Sequence, residues 1–231
     1  LSHSTSPLTQ PQLPISPGCI LWRVWHRKAS ATTLTARTVL TMALNLERQL
    51  LFYGEYHHNP VNLGIHMVCV PLLLWTSFLF ATNTPSVPLP AYLTVPHLPA
   101  NLGTLSCTLY ATGYLLLEPV AGALLAPLLL GSTAGANFLT STYGARATYA
   151  AVAVHVLSWG AQFIGHGVYE GRAPALRDNL AQALFLAPFF VWMELLFACG
   201  YRPDLKARVD REVQTRIAKF RAEKAARKAG T

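Results

Sequence analysis

From Gln49 to Gly200 the chain carries only eight charged side chains: Arg146, Arg172, Arg177, Glu55, Glu118, Glu170, Asp178 and Glu194. A water-soluble domain draws about a quarter of its residues from Asp, Glu, Lys and Arg. Eight charges cannot cover a soluble surface over such a stretch. A bilayer removes that demand and admits only structures that satisfy their own backbone hydrogen bonds. With apolar runs of span length, these constraints predict an all-α fold, a polytopic membrane helical bundle.

Five apolar segments emerge. Asn59-Pro60 gives a helix start, with Asn as N-cap and Pro at the first helical position, and Val61 to Ala81 then runs without a charge. Residues Thr82 to Asn101 hold five prolines and read as a loop. Leu102 to Thr140 carries one charge, Glu118, followed at once by Pro119. As one helix it would be roughly 58 Å long, about twice the hydrocarbon thickness, so a turn near Glu118-Pro119 divides it into two spans. Ala147 to Val168 is the fourth segment, and Asn179 to Cys199, interrupted by Pro188, is the fifth. There is no internal repeat.

The flanks differ from this membrane domain, which is placed at 45–200. Residues 1–44 contain no Asp or Glu, are rich in Ser, Thr and Pro, and carry Arg23, Arg27, Lys28 and Arg37. That composition resembles a transit peptide, including a mitochondrial one; equally, the first 41 residues read as sequence upstream of Met42. They are expected to be disordered and outside the fold. Met42 to Tyr56 reads as an amphipathic helix built on Leu44, Leu46, Leu50, Leu51 and Phe52, suited to the membrane surface. Residues 201–231 hold ten Lys/Arg against four Asp/Glu. This is expected to be a solvated, basic, cytoplasmic helical tail in reach of anionic lipid. No base-reading motif accompanies it, so nucleic acid is not expected as a partner. The four cysteines, Cys19, Cys69, Cys107 and Cys199, follow no metal or disulfide spacing, and the three in apolar segments read as small buried hydrophobes.

Histidines are the chemistry-bearing feature. Of eight in the chain, His57, His66, His155 and His166 lie in or beside the first and fourth apolar segments. Ionisable groups at such depth are costly and mark function, and imidazole binds iron, zinc and copper well. A straight helix separates His155 from His166 by about 16 Å in height although they share a face, and His57 from His66 by at most about 13 Å. One metal cannot take both members of either pair from unbroken helices. Two layers of histidine, or one site with a bent helix near Gly160, Gly165 and Gly167, would both reconcile the spacing. Gln162 and Glu170 stand four residues either side of His166. They are candidates to orient an imidazole, Glu170 also as a direct ligand or as the partner of Arg172 or Arg177. Glu118 reads as a turn residue, and Glu194 as a group serving the site or a bundle contact.

Two stretches resemble a known family. Tyr53-Gly-Glu-Tyr-His57-His58-Asn59-Pro60-Val-Asn62-Leu-Gly-Ile-His66, followed by Pro71, is similar to its Y-x-x-x-H-x-N-P-x-N-x-x-x-H motif. Trp159-Gly-Ala-Gln162-Phe-Ile-Gly165-His166-Gly-Val-Tyr-Glu170, continued by Pro174-Ala-Leu, is similar to its W-x-x-Q-F-x-G-H-x-x-x-E-x-x-x-P-A-L. Pro188, Phe190 and Glu194 extend the likeness, which covers about residues 45 to 200. The family is the 2-hydroxy fatty acid dioxygenases of the endoplasmic reticulum membrane. The resemblance implies an Fe(2+)-dependent enzyme that uses O2 to shorten a long-chain 2-hydroxy fatty acid by one carbon, in fatty acid α-oxidation and phytosphingosine degradation. Its histidines map by motif to His57, His66, His155 and His166. A transporter using the histidines as a proton relay is the alternative, against which the missing repeat counts. A structural role for the histidines would predict tolerance of their replacement. No H-x-x-H-H box of the desaturase type is present.

Overall fold

The computed structural model describes residues 44–171 and 180–229. These form seven α-helices: α1 (Leu46–Gly54), α2 (Pro60–Thr82), α3 (Leu102–Leu117), α4 (Pro119–Tyr143), α5 (Ala145–Ile164), α6 (Leu180–Ala198) and α7 (Pro203–Ala229). A π-helical turn, Gly165–Glu170, continues α5. The proline-rich loop between α2 and α3 contains one 3-10 turn, Ala91–Leu93, and a single bridge between Val87 and Ala100. Among the described residues no strand forms. The extension before residue 44 lies outside the described residues.

The helix ends follow local chemistry. The Asn59 side chain accepts from the backbone N–H of Val61 at 2.9 Å, with Pro60 at the first position of α2. Glu118 ends α3 in an extended conformation and caps α4, its carboxylate accepting from Ala121 N–H at 2.5 Å. The turn expected at Glu118-Pro119 is therefore present. Gly122 allows α4 to fold back tightly, because a Cβ there would lie 2.6 Å from the backbone of Tyr114 and Leu115.

Among the described residues, three helices are long and apolar enough to cross a membrane: α2, α4 and α5 with its π-turn. A fourth crossing is possible where α6 and α7, bent by 117°, act together. All five expected apolar segments are helical, but α3 has 16 residues. At about 1.5 Å per residue it falls short of a roughly 30 Å hydrocarbon core. Leu105, Leu109, Leu116, Val156 and Leu157 are exposed on the outer faces, as a hydrocarbon surround requires.

The main core joins α1, α2, α3, α4, α6 and α7 around Tyr114, Phe189, Phe190 and Met193. The basic tail does not stand free in solvent. Leu205, Val209, Val213 and Ile217 form a buried stripe on α7 that packs on α1. Cys69 and Cys107 are buried as expected, whereas Cys199 is exposed. Glu194 pairs with Lys206 at 3.5 Å, a bundle contact between α6 and α7.

Candidate metal centre

Three of the four singled-out histidines meet. His57 comes from the link between α1 and α2, His66 from the second turn of α2, and His166 from the π-turn after α5. Ring centroids lie 4.3 Å apart for His57–His66, and 4.9 Å for both His57–His166 and His66–His166. One ligand nitrogen from each lies within 4.8 Å of the other two. His66 and His166 are buried and His57 is partly so.

Each ring is held from behind. His57 Nδ1 donates to the Tyr53 carbonyl and His66 Nδ1 to the Asn62 carbonyl, both at 2.9 Å. These bonds place the proton on Nδ1 and leave Nε2 as a lone-pair donor, the arrangement that orients metal-bound imidazoles. His166 Nδ1 is buried without a hydrogen-bond partner. A buried polar nitrogen without a partner is costly, and within a cluster of three imidazoles that each offer one ligand atom it fits a metal ion. Burial, then the neighbouring His66, holds His57 well below the usual imidazole range. The ring is thus neutral, as a metal ligand must be.

A polar frame ties the two segments together. Glu170 accepts from the backbone N–H of Asn59 at 3.1 Å and of His58 at 3.3 Å, and from Asn62 Nδ2 at 3.0 Å. Its other close neighbour is His58 Nδ1. Asn62 also donates to the Tyr56 carbonyl at 3.2 Å, and Asn59 Nδ2 to the Tyr169 carbonyl at 3.0 Å. Gly165 lies against Asn62: a Cβ there would collide with Asn62 Oδ1. Tyr53 stacks on His57 with ring centroids 4.0 Å apart, and its buried hydroxyl has no partner.

The match of known proteins agrees with this geometry. A family model for 2-hydroxy-palmitic acid dioxygenase Mpo1-like proteins matches residues 43–199. The chain belongs to the Mpo1-like family. It is 35% identical over 181 residues to 2-hydroxy-palmitic acid dioxygenase MPO1 of Saccharomyces cerevisiae, covering 78% of this chain and 97% of the relative. No solved structure matches.

In this Mpo1-like chain, His155 is not brought to the cluster. It lies three turns before His166, and no bend intervenes between them, since α5 is regular to Ile164. Both its nitrogens are already used: Nδ1 meets Thr76 Oγ1 at 2.7 Å and Nε2 accepts from the Trp159 indole at 3.0 Å. The irregularity expected near the α5 glycines falls after His155, in the π-turn, and among the described residues three histidines gather in one cluster while His155 stands apart. Glu170 faces the start of α2 as a clamp rather than the ring nitrogens. Arg172 and Arg177, its alternative partners, lie outside the described residues. Gln162 is buried with its amide Nε2 unpartnered. From the sequence, His58 is the rival of His57 for the motif position, and Asn62 has no assigned role, although the spacing Asn-x-x-x-His puts the Asn62 carbonyl one turn behind the His66 ring.

Proposed function

We propose that this chain is an Fe(2+)-dependent dioxygenase that shortens long-chain 2-hydroxy fatty acids by one carbon, embedded in the endoplasmic reticulum membrane. The carrying observation is the three-histidine cluster, its rings oriented by backbone carbonyls, in a member of the Mpo1-like family. His57, His66 and His166 are the proposed ligands. Iron, when bound there, supplies positions for O2 and for the carboxylate and hydroxyl of the substrate. One O2 balances release of the first carbon as carbon dioxide, leaving a carboxylic acid one carbon shorter and one water. Gln162 is the proposed donor to the bound headgroup, because its amide is buried and unpartnered. Glu170 fixes the loop that carries His57. His155 joins α5 to α2 through Thr76.

An apolar groove of about 420 Å³ between α2, α4 and α6, lined by Met67, Pro71, Leu125, Leu129 and Val191 among others, supports a long-chain substrate. Its volume lies within the range of about 300–1,000 Å³ usual for ligand pockets. The test is metal analysis of the purified protein with aerobic and anaerobic assays on 2-hydroxypalmitate. Iron should be present, and the acid one carbon shorter should appear only with oxygen. His66→Ala and His166→Ala should lose metal and lower turnover more than about a hundredfold, beyond the range of outer-shell changes. His155→Ala should keep both to within about tenfold. Turnover by metal-free protein, or full activity of the His166 variant, would sink the reading.

A further inference from the structure

The family match ends at residue 199, and α7 lies beyond it. Yet α7 reaches the site. Arg221 Nη2 stands 2.9 Å from His58 Nε2. A guanidinium only donates, so His58 Nε2 accepts and the ring proton sits on Nδ1. That nitrogen lies against Glu170 Oε1. The other Glu170 oxygen takes the Asn62 amide at 3.0 Å, and the Asn62 carbonyl takes His66 Nδ1–H at 2.9 Å. A run of contacts, Arg221–His58–Glu170–Asn62–His66, in which His58 Nδ1 meets Glu170 as a close charge contact, thus joins the tail helix to a ligand of the metal cluster. One turn further along α7, Lys224 Nζ reaches the carbonyl of Gly171, which ends the π-turn, at 3.5 Å.

An isolated hydrogen bond from an exposed arginine contributes little. This one ends on a different kind of group. The Glu170 side chain is fully buried, and a buried carboxylate needs every donor turned toward it. Without Arg221, His58 is free to hold its proton on Nε2, and Nδ1 then presents a lone pair to the carboxylate. That tautomer loosens the same carboxylate that holds Asn59 and Asn62. We propose that Arg221 and His58 are positioning residues of the metal centre, and that α7 is a strap that keeps His58 Nδ1 turned against Glu170. The strap rests on the triad being a metal site.

The test uses full-length protein loaded with Co(II), whose visible spectrum reports its ligands, and follows metal loss to EDTA. Arg221→Ala and His58→Ala should each release Co(II) about tenfold faster, within the range for outer-shell partners. Arg221→Lys, which keeps a donor, should recover part of the loss. The Arg221→Ala/His58→Ala double variant should be no faster than His58→Ala alone, because both act on one run of contacts. Arg211→Ala, a charge removed elsewhere on α7, should match the wild type, and circular dichroism should show unchanged helicity throughout. Wild-type release from Arg221→Ala, or additive effects in the double variant, would overturn the strap while leaving the triad intact. Failure of the wild type to bind Co(II), with His66→Ala indistinguishable from it, would instead defeat the metal reading and the strap with it.

Discussion

Gly165 sets how closely α5 approaches α2. A methyl there would strike Asn62 Oδ1 and come within 3.4 Å of Ile65 Cδ1. Asn62 cannot yield freely, because its amide is held by the Tyr56 carbonyl and by Glu170. Gly165→Ala should therefore destabilise by about 1–3 kcal/mol, the usual range for overpacking, and weaken metal binding through Asn62 and His66. Gly160, where a Cβ meets nothing within 4 Å, provides the contrast: Gly160→Ala should be neutral or stabilise by up to about 1 kcal/mol through helix propensity. Thermal melting in detergent separates the two, and an equal response would refute the assigned contact. At this scale the sequence discloses which residues are unusual but not what each one touches. Buried histidines stand out because apolar segments seldom tolerate them. Whether His155 binds metal or Thr76 depends on which residue faces it across the bundle, and spacing along one chain holds no such information.

Helix ends, rather than helix faces, build the centre. His57 precedes the cap of α2, and His166 follows the regular part of α5. Glu170 joins these two ends by accepting two backbone N–H groups and the Asn62 amide. Glu170→Gln keeps the volume but turns an amide donor toward groups that are themselves donors. It should lower metal affinity about 10–100-fold while leaving helix content unchanged, as metal titration beside circular dichroism would show. Unaltered affinity would mean that the clamp does not position the ligands. The start of α2 and the break at Glu118-Pro119 were legible because caps and proline act locally. The length limit on α3 follows from the position of that break. The π-turn was only partly legible. Its glycines permit irregularity, but its place is chosen by contacts with α2 that lie about a hundred residues away in the chain.

At the scale of the molecule, what matters is how α7 stays folded against α1. Two kinds of contact compete as the explanation. Arg208 meets Glu47 and Arg216 meets Glu55 at 3.2 and 2.8 Å. Arg208, Glu47 and Arg216 are about half exposed, and Glu55 is 21% exposed; such surface pairs contribute little. Leu205, Val209, Val213 and Ile217 are each at most 6% exposed, and burial of an aliphatic side chain is worth about 1.5–3 kcal/mol. The apolar seam should therefore dominate. Its i, i+4 spacing was present in the sequence, yet the density of Lys and Arg around it read as a solvated tail, because nothing local reveals that α1 presents a matching face. Val213 packs directly over Gly54, where a Cβ would lie 2.7 Å from Val213 Cγ2. Val213→Asp would bury an unpaired charge in that seam. It should speed tryptic removal of the basic tail at least tenfold and carry Co(II) release with it, since Arg221 leaves His58 when α7 lifts. Glu47→Gln should change neither rate by more than about twofold. If Glu47→Gln freed the tail more readily than Val213→Asp, surface charge rather than the seam would be holding α7 in place.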